Sequence, residues 1–445
     1  MNSLNILFAC AICVVGFLFL IKQLGGKKYD LLNPALLIIF QITVGFGVNT
    51  IYWHIFDIPT EIFDLTFPGN QDTISKALLI TFLGLLSFCI SFSFANHSSH
   101  HLSYSKSDSL EPIKISALIY LVTPVVLYYS IQVLDQVLSQ SLGGFMLRNR
   151  YEKVENAYIG FVASSVQLYI LVSLHVASRV KEVSKASNLL LVVLLFVSFI
   201  ISISSGFRGN IIIFALHFLA ISHYRYKRFS RKRAMFFAVL AVLVLAVLGN
   251  VRKEVELGST GAISTGDSGF DIQKNLNEVL KRIQGAEIVS LVIQQIDQGK
   301  PHRYFYEGIY EAITILIPRS LWPAKPESQS IIFGATFLTE YLVARDGSVG
   351  DNTGGFSYNL IGYLFWQAGY LGVIFGMTML GLILNYLYKY AQFHNFRGSA
   401  GVWYICIYAR LWALTEAPQE GINQVVFTLL FLGSIIFFSK DRRSR

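Results

Sequence analysis

Residues 209–250 read GNIIIFALHFLAISHYRYKRFSRKRAMFFAVLAVLVLAVLGN, two apolar runs separated by a nine-residue stretch, 225–233, in which six residues are Lys or Arg. Each run approaches the roughly 20 residues that a helix needs to cross about 30 Å of hydrocarbon. Because Lys and Arg accumulate in the cytoplasmic loops of membrane proteins, the stretch between the runs is predicted to be cytoplasmic. The pattern therefore predicts two membrane-spanning helices joined on the cytoplasmic side.

Apolar runs of this kind recur along almost the whole chain, in which 53% of residues are apolar and 14% charged. These fractions are far from those of soluble domains. A lipid-exposed backbone must satisfy its own hydrogen bonds, and no alternating ten-residue barrel pattern appears, so each run is predicted to be helical. The predicted fold class is all-α, a polytopic membrane helix bundle of about 11 transmembrane helices. We expect them near 4–21, 34–52, 76–95, 115–134, 157–177, 188–204, 209–223, 234–250, 357–387, 400–415 and 421–438.

The loops between these runs predict the orientation of the chain. The loop 53–75 contains no Lys or Arg and is predicted to lie outside. The N-terminus is accordingly predicted outside and the C-terminus in the cytoplasm. The net charge of +9 follows from this bias and does not indicate nucleic-acid binding. The other segments predicted to be cytoplasmic carry Lys22, Lys27, Lys28, Arg179, Lys181, Lys185, Lys389, Arg397, Lys440, Arg442, Arg443 and Arg445.

The spans divide the chain into three parts. Residues 1–250 hold eight spans, 251–356 form one large outer loop, and 357–445 hold three spans and a basic tail. Within the large loop, apolar residues recur at helical spacing over 272–283 and 305–317, which predicts two amphipathic helices at the membrane interface. A further candidate for an outer amphipathic segment lies near 133–155.

Several cations lie on the outer side, against the orientation rule. Arg208 occupies a very short turn between two spans, where ionisable residues usually have a function. Arg319 lies in a proline-rich turn together with Trp322 and Lys325, and prolines make such a turn rigid. Guanidinium groups bind phosphate oxygens in bidentate pairs, so an anionic ligand such as a lipid diphosphate would explain these positions. The plainer alternative is contact with lipid headgroups or nearby acids.

One stretch carries a family resemblance. Residues 317–326, IPRSLWPAKP, are preceded by Arg208-Gly209-Asn210 and followed by a glycine-rich segment, 354–372, that enters a helix. In these features the chain resembles bacterial oligosaccharide repeat-unit polymerases, the O-antigen polymerases of the Wzy type. The resemblance implies glycosyl transfer on the periplasmic face of the bacterial inner membrane. It implies undecaprenyl-diphosphate-linked saccharides as substrates, with the flippase and the chain-length regulator of the same pathway as further partners.

The reaction that the resemblance implies needs charge stabilisation and a proton acceptor, and the charged residues predicted on the outer side are the candidates for these roles. Arg208 and Arg319 would stabilise the departing diphosphate, with Arg252 and Lys325 as second choices. The acceptor hydroxyl needs a proton acceptor, for which His302, Glu307, Glu311 and Asp351 are the outer candidates, with Glu307 and Asp351 assigned to catalysis. Substrate binding is expected of a wider set, namely Arg252, Lys325, Trp322, Arg148, Arg150, Tyr151 and His302.

The sequence also makes a prediction about metals. In the segments predicted to lie outside, no Asp-x-Asp pair and no paired His appears, so the enzyme is predicted to need no metal and no cofactor. Many polymerases of this type carry an acidic residue where their late helix begins, whereas Gly362–Gly369 has none.

Two alternative activities stay open. A ligase that passes the same donor to lipid A would use similar arginines. A transporter or flippase for the same lipid would show a repeat between its halves, and the chain shows none.

Overall fold

In the computed structural model, the described residues are 3–25, 30–56, 61–62, 65–66, 71–94, 208–225, 285–299, 305–314, 359–396 and 398–439. Isolated positions are also described at 124, 128, 189, 192, 193, 196, 322, 324 and 332. The predicted spans 115–134, 157–177, 188–204 and 234–250 lie outside the continuously described ranges. The total of about eleven spans therefore stays a prediction.

The N-terminal part of the chain forms three long helical segments. Helix α1 covers Ser3–Gly25. Helix α2, Pro34–Ile42, continues through a π-helical segment, Thr43–Val48, into α3, Asn49–Ile55. Helix α4 covers Gln71–Phe94. The side chain of Asn33 accepts the backbone N–H of Ala35 at 3.0 Å, and Pro34 needs no partner at the first helical position, which explains where α2 begins.

A small β-hairpin departs from the all-α prediction. Strands β1, Glu61–Ile62, and β2, Leu65–Thr66, pair antiparallel within the loop between α3 and α4. In its register Glu61 is opposite Thr66, and Ile62 is opposite Leu65. Apart from this hairpin, the regular elements in the described ranges are helices, as predicted.

In the described residues after α4, the regular elements are six helices. They are α5, Arg208–Arg225; α6, Ala286–Asp297; α7, Phe305–Thr314; α8, Leu360–Phe393; α9, Gly398–Glu416; and α10, Pro418–Ser439. Four segments of the described chain are long and apolar enough to cross a membrane, namely Ser3–Gly25, Pro34–Ile55, Asp72–Phe94 and Leu360–Phe393. This confirms a membrane protein with several spans.

Helix α8 is interrupted after two turns, which the sequence did not predict. Ala368 and Gly369 leave the helical conformation, and Gly369 has a φ of 60°, a region that favours glycine. A Cβ atom at Gly376 would lie 2.5 Å from the side chain of Leu364, so residues 360–367 fold back along the helix that follows. The predicted span 357–387 is therefore two helical stretches joined at a turn.

The described residues fall into two compact units. The first combines Met1–His101, Ile272–Lys389 and Leu411–Gln424, and the second combines Leu102–Asp271, Tyr390–Arg410 and Val425–Arg445. In the second unit, the Tyr224 ring of α5 stacks on Phe396 with ring centroids 3.9 Å apart, and His217 and Arg410 are buried. In the first unit, Tyr388 donates to Asp30 Oδ2 at 3.0 Å and Asn385 donates to the carbonyl of Phe92.

Helix α8 approaches α4 closely at Gly381, which leads to a prediction about stability. A side chain at Gly381 would collide with Ser91 and lie 2.9 Å from the carbonyl oxygen of Phe88. We expect Gly381→Leu to destabilise the protein by about 1–3 kcal/mol, because the two helices would be forced apart. Gly25→Leu is the matched control, since nothing lies within 4 Å of a Cβ there. Thermal unfolding in detergent measures both variants, and equal melting temperatures would contradict the close packing.

Candidate active site

Helix α6 lies inside the region predicted as the large outer loop, yet its residues are largely buried. Ala286–Ile293 are all buried, and α6 packs against the first turns of α4. Thr73 and Ser290 share a hydrogen bond of 2.6 Å, and the exposed pair Lys76 and Asp297 forms a salt bridge of 3.2 Å. The sequence indicated interfacial helices in this loop, and the structure adds one that is part of a helical core.

The start of α6 is joined to the start of α8. Asn359 donates through Nδ2 to the carbonyl of Gly285 at 3.0 Å and accepts the backbone N–H of Gly362 through Oδ1 at 2.8 Å. Gly285 itself packs so closely on the carbonyl of Gly45 that a Cβ would collide with it. Gly45 belongs to the π-helical segment in the middle of Pro34–Ile55. The loop region therefore reaches the middle of a candidate span.

Glu287 is buried at this junction, and its carboxyl group is expected to make stability depend on pH. Burial raises the pKa of Glu287 from 4.5 to about 7, although the backbone N–H groups of Glu287 and Gly285 oppose the shift. Since the folded protein binds this proton more tightly than the unfolded chain, stability falls as pH rises between about 4.5 and 7. The difference corresponds to about 3 kcal/mol.

The Glu287→Gln variant tests this expectation. Its carboxamide has no proton to lose, so the melting temperature in detergent should change much less between pH 5 and pH 8 than that of the unaltered protein. At pH 8 the variant should be the more stable of the two. An identical pH dependence in both proteins would show that Glu287 is not the group responsible.

A chain of buried polar side chains links three helices near this junction. Tyr363 of α8 donates through its hydroxyl to Gln419 Oε1 at 3.0 Å. Gln419 donates to Asn423 Oδ1 at 3.0 Å, and Asn423 donates to Glu311 Oε1 of α7 at 3.5 Å. All four side chains are buried, and Glu311 is 8% exposed. A carboxylate buried among hydrogen-bonding partners is typical of a functional site.

A cleft opens beside this polar chain, between α2, the start of α8 and the end of α9. It encloses about 460 Å³, counting the space at its mouth. Thr415 donates to Gln41 Oε1 at 2.6 Å, and the indole of Trp412 lies beside the carboxyl group of Glu416. The described residues that line the cleft are Gln41, Ile42, Phe46, Asn359, Leu360, Ile361, Trp412, Thr415 and Glu416.

The two candidate bases of α7 differ in burial. Glu307 and Glu311 are one helical turn apart, but Glu307 is half-buried whereas Glu311 is buried and belongs to the polar chain. Trp322 is half-buried and meets the ring of Tyr310 edge-on, with centroids 6.3 Å apart. Of these two residues, Glu311 is the buried carboxylate.

The remaining predicted site residues are not tested by this structure. Arg208 is the first residue of α5, and its side chain is outside the described atoms. The others fall outside the described residues, namely Arg319, Asp351, Arg252, Lys325, Arg148, Arg150, Tyr151 and His302. Among the residues that are described, no three His, Cys, Asp or Glu side chains come together as a metal site.

The polar chain and the cleft use residues that the sequence analysis did not single out. Gln41, Asn359, Gln419 and Asn423 are polar residues within or at the ends of apolar runs, and Glu416 ends one of them. Polar groups inside membrane helices are rare and usually functional, so this signal was available. Their grouping was not, because the partners are far apart in sequence.

Comparison with known proteins identifies the family. No curated protein and no solved structure matches the chain. A family model, described as O-antigen polysaccharide polymerase Wzy, matches residues 2–442. The match covers nearly the whole chain, including every helix described above and both parts of the candidate site. The chain therefore belongs to the O-antigen polysaccharide polymerase Wzy family.

Proposed function

We propose that this chain polymerises undecaprenyl-diphosphate-linked oligosaccharide repeat units on the periplasmic face of the bacterial inner membrane. Membership of the Wzy family carries the polymerase activity and the membrane location. The periplasmic side is supported by helix α5, which begins at Arg208 and ends at Arg225, next to the basic stretch 225–233. Its 18 residues are about 27 Å long, close to the thickness of the hydrocarbon core, which supports Arg208 on the side opposite the basic stretch.

In the proposed reaction, the hydroxyl group at the non-reducing end of one repeat unit attacks the anomeric carbon of the growing chain. The bond between that carbon and the diphosphate oxygen breaks, and undecaprenyl diphosphate leaves. Departure of the diphosphate requires stabilisation of its developing negative charge. We assign this role to Arg208 and Arg319, with Arg252 and Lys325 as further phosphate contacts.

The proton of the attacking hydroxyl needs an acceptor, and we assign this role to Glu311. Of the two candidates within the described residues, Glu307 and Glu311, it is the one that is buried and connected to a chain of hydrogen-bonding side chains, Asn423, Gln419 and Tyr363. A positioned base contributes roughly 10²–10⁴-fold to a reaction of this kind. Glu307, on the more exposed face of α7, is assigned to substrate contact together with Trp322.

The remaining assignments complete the proposal. The arginines replace a divalent metal, so the reaction is proposed to be metal-independent. Substrate binding is extended to His302, Asp351 and the segment with Arg148, Arg150 and Tyr151. The membrane topology is proposed as about eleven spans with the N-terminus in the periplasm and the C-terminus in the cytoplasm. The flippase and the chain-length regulator of the pathway are proposed as partners.

Reconstitution tests the proposed function. The purified protein in liposomes is given an undecaprenyl-diphosphate-linked oligosaccharide together with EDTA, and the products are separated by size. We expect a ladder spaced by one repeat unit. Absence of a ladder with the lipid carried across the membrane would indicate a transporter, and loss of the ladder in EDTA alone would overturn metal independence.

A further inference from the structure

The polar chain that ends at Glu311 has a defined direction. An ionised carboxylate accepts hydrogen bonds and cannot donate them, so Asn423 must present its Nδ2 to Glu311. The Oδ1 of Asn423 then faces Gln419, whose Nε2 donates to it at 3.0 Å. The Oε1 of Gln419 in turn accepts from the hydroxyl of Tyr363 at 3.0 Å. Turning either amide over would set two acceptors against each other, so the carboxylate fixes the direction of all three hydrogen bonds.

All three donors of the chain point towards Glu311. Aligned hydrogen bonds polarise one another, so the chain makes the N–H of Asn423 a stronger donor. Burial of an ionised carboxylate costs free energy unless hydrogen bonds compensate for it, and the four side chains of the chain are all buried. The last hydrogen bond, from Asn423 to Glu311, is 3.5 Å long, and hydrogen bonds of a catalytic base often shorten when the substrate binds.

Helix α10 holds the middle of the chain in place. Gln419 follows Pro418, the first residue of the helix, and Asn423 is four residues further on, so both side chains lie on the same face. A Cβ atom at Gly421, between them, would lie 2.5 Å from the backbone of Leu414, so the start of α10 packs directly on α9. Side chains on closely packed helices can hold a reacting group in a precise position.

We propose that Tyr363, Gln419 and Asn423 are positioning residues, which hold the carboxylate of Glu311 ionised and oriented for proton transfer through three hydrogen bonds that run in one direction. This inference rests on the proposed polymerase function, because that reaction defines Glu311 as the base. The three residues act through Glu311 and do not touch the substrate. Their loss should therefore lower kcat and leave KM unchanged.

The test asks whether these residues act through the carboxylate of Glu311. Asn423→Leu and Tyr363→Phe are each introduced into the unaltered protein and into Glu311→Gln, and the rate of the first extension step is measured in liposomes over a range of substrate concentrations. In the unaltered protein we expect kcat to fall roughly 10- to 100-fold for Asn423→Leu, which removes a hydrogen bond to a charged group, and about threefold for Tyr363→Phe. In Glu311→Gln neither should lower the residual rate further, because the carboxylate that they position is gone.

Tyr388→Phe is the matched control. Tyr388 is also a buried tyrosine of α8, and its hydroxyl donates to a different carboxylate, Asp30 Oδ2, at 3.0 Å. Its replacement removes the same kind of hydrogen bond without affecting Glu311, so kcat should equal that of the unaltered protein. The melting temperature of each variant in detergent verifies that it is folded.

The possible outcomes separate this inference from the proposed function. If Asn423→Leu and Tyr363→Phe lower the rate by the same factor with and without the carboxylate of Glu311, the chain is structural, and the inference is overturned while the polymerase function stands. An unchanged kcat in both variants overturns it as well. If the unaltered protein produces no ladder, the proposed function fails and the inference with it. If Asn423→Leu fails to fold, Tyr363→Phe, which removes a single oxygen atom, decides by the same comparison.

Discussion

Replacement of Glu311 by Gln should slow chain extension at saturating substrate by roughly 10²–10⁴-fold, whereas Glu307→Gln, at a substrate contact, should raise KM and leave the saturated rate close to the original. Glutamine preserves the shape of the side chain and can still pair with Asn423, but it cannot take a proton from the acceptor hydroxyl. Glu307 lies one turn away on the same helix and is half-buried, so it is a close control for any effect on the folding of α7.

The measurement for Glu311 is the rate of the first extension step at saturating substrate in liposomes. At saturating substrate the rate does not depend on how tightly the substrate binds. The rate of the first step does not depend on how many repeat units are added before the chain is released. Comparable losses in both variants would indicate that α7 is sensitive to any substitution. Full activity of Glu311→Gln would remove Glu311 from the chemistry and return the role of base to His302 or Asp351.

Replacement of Arg319 or Arg208 by Lys is expected to reduce extension by roughly 10²–10³-fold. Lysine keeps the positive charge but loses the planar pair of N–H donors that binds two phosphate oxygens at once. The arginines stabilise the negative charge that develops on the diphosphate as it leaves. The loss of activity should therefore appear in kcat rather than in KM.

Arg225→Lys serves as the control for the arginines. Arg225 ends the same helix that Arg208 begins, and the proposal places it at the cytoplasmic surface, away from the reaction. Its replacement should leave the rate of extension unchanged. Equal losses for Arg208→Lys and Arg225→Lys would show that helix α5 tolerates neither change and that Arg208 has no special role.

The sequence predicted the helices better than their ends. The apolar content located α1, the segment Pro34–Ile55, α4 and α8, but α4 begins at Gln71 rather than near residue 76. Its first turn is polar, so a hydropathy argument excludes it. The structure shows two of those polar residues paired, with Thr73 sharing a hydrogen bond with Ser290 and Ser75 donating to Asn5. A partner distant in sequence therefore extends the helix beyond its apolar run.

The turn inside α8 and the burial of α6 were beyond the reach of the sequence pattern. A glycine in an apolar helix is tolerated, so Gly369 by itself does not predict a break. Helix α6 is apolar on most of its surface but only 12 residues long, too short for a span, and its core position depends on α4 and Gly45. Both features are consequences of packing between segments that are remote in the chain.

The sequence-based candidates and the polar chain share one residue. Glu311 was one of four possible bases, and of the two within the described residues, Glu307 and Glu311, it is the one that is buried and linked to Asn423. Glu311 and Asn423 are 112 positions apart, and no pattern in the sequence of α7 or α10 predicts that the two helices are in contact. The role of the arginines stays a prediction from charge and orientation.

The central claim of this account is that the reaction takes place on the periplasmic face, and the accessibility of position 320 tests it most directly. The four free cysteines, Cys10, Cys13, Cys89 and Cys406, are first replaced by alanine. Ser320→Cys is then introduced beside the unaltered Arg319, and Ser230→Cys is placed in the basic stretch 225–233 as the cytoplasmic reference. The account predicts that a membrane-impermeant maleimide labels position 320 in intact cells and position 230 only after the inner membrane is permeabilised. Labelling of position 320 only after permeabilisation would place Arg319 in the cytoplasm and contradict the account.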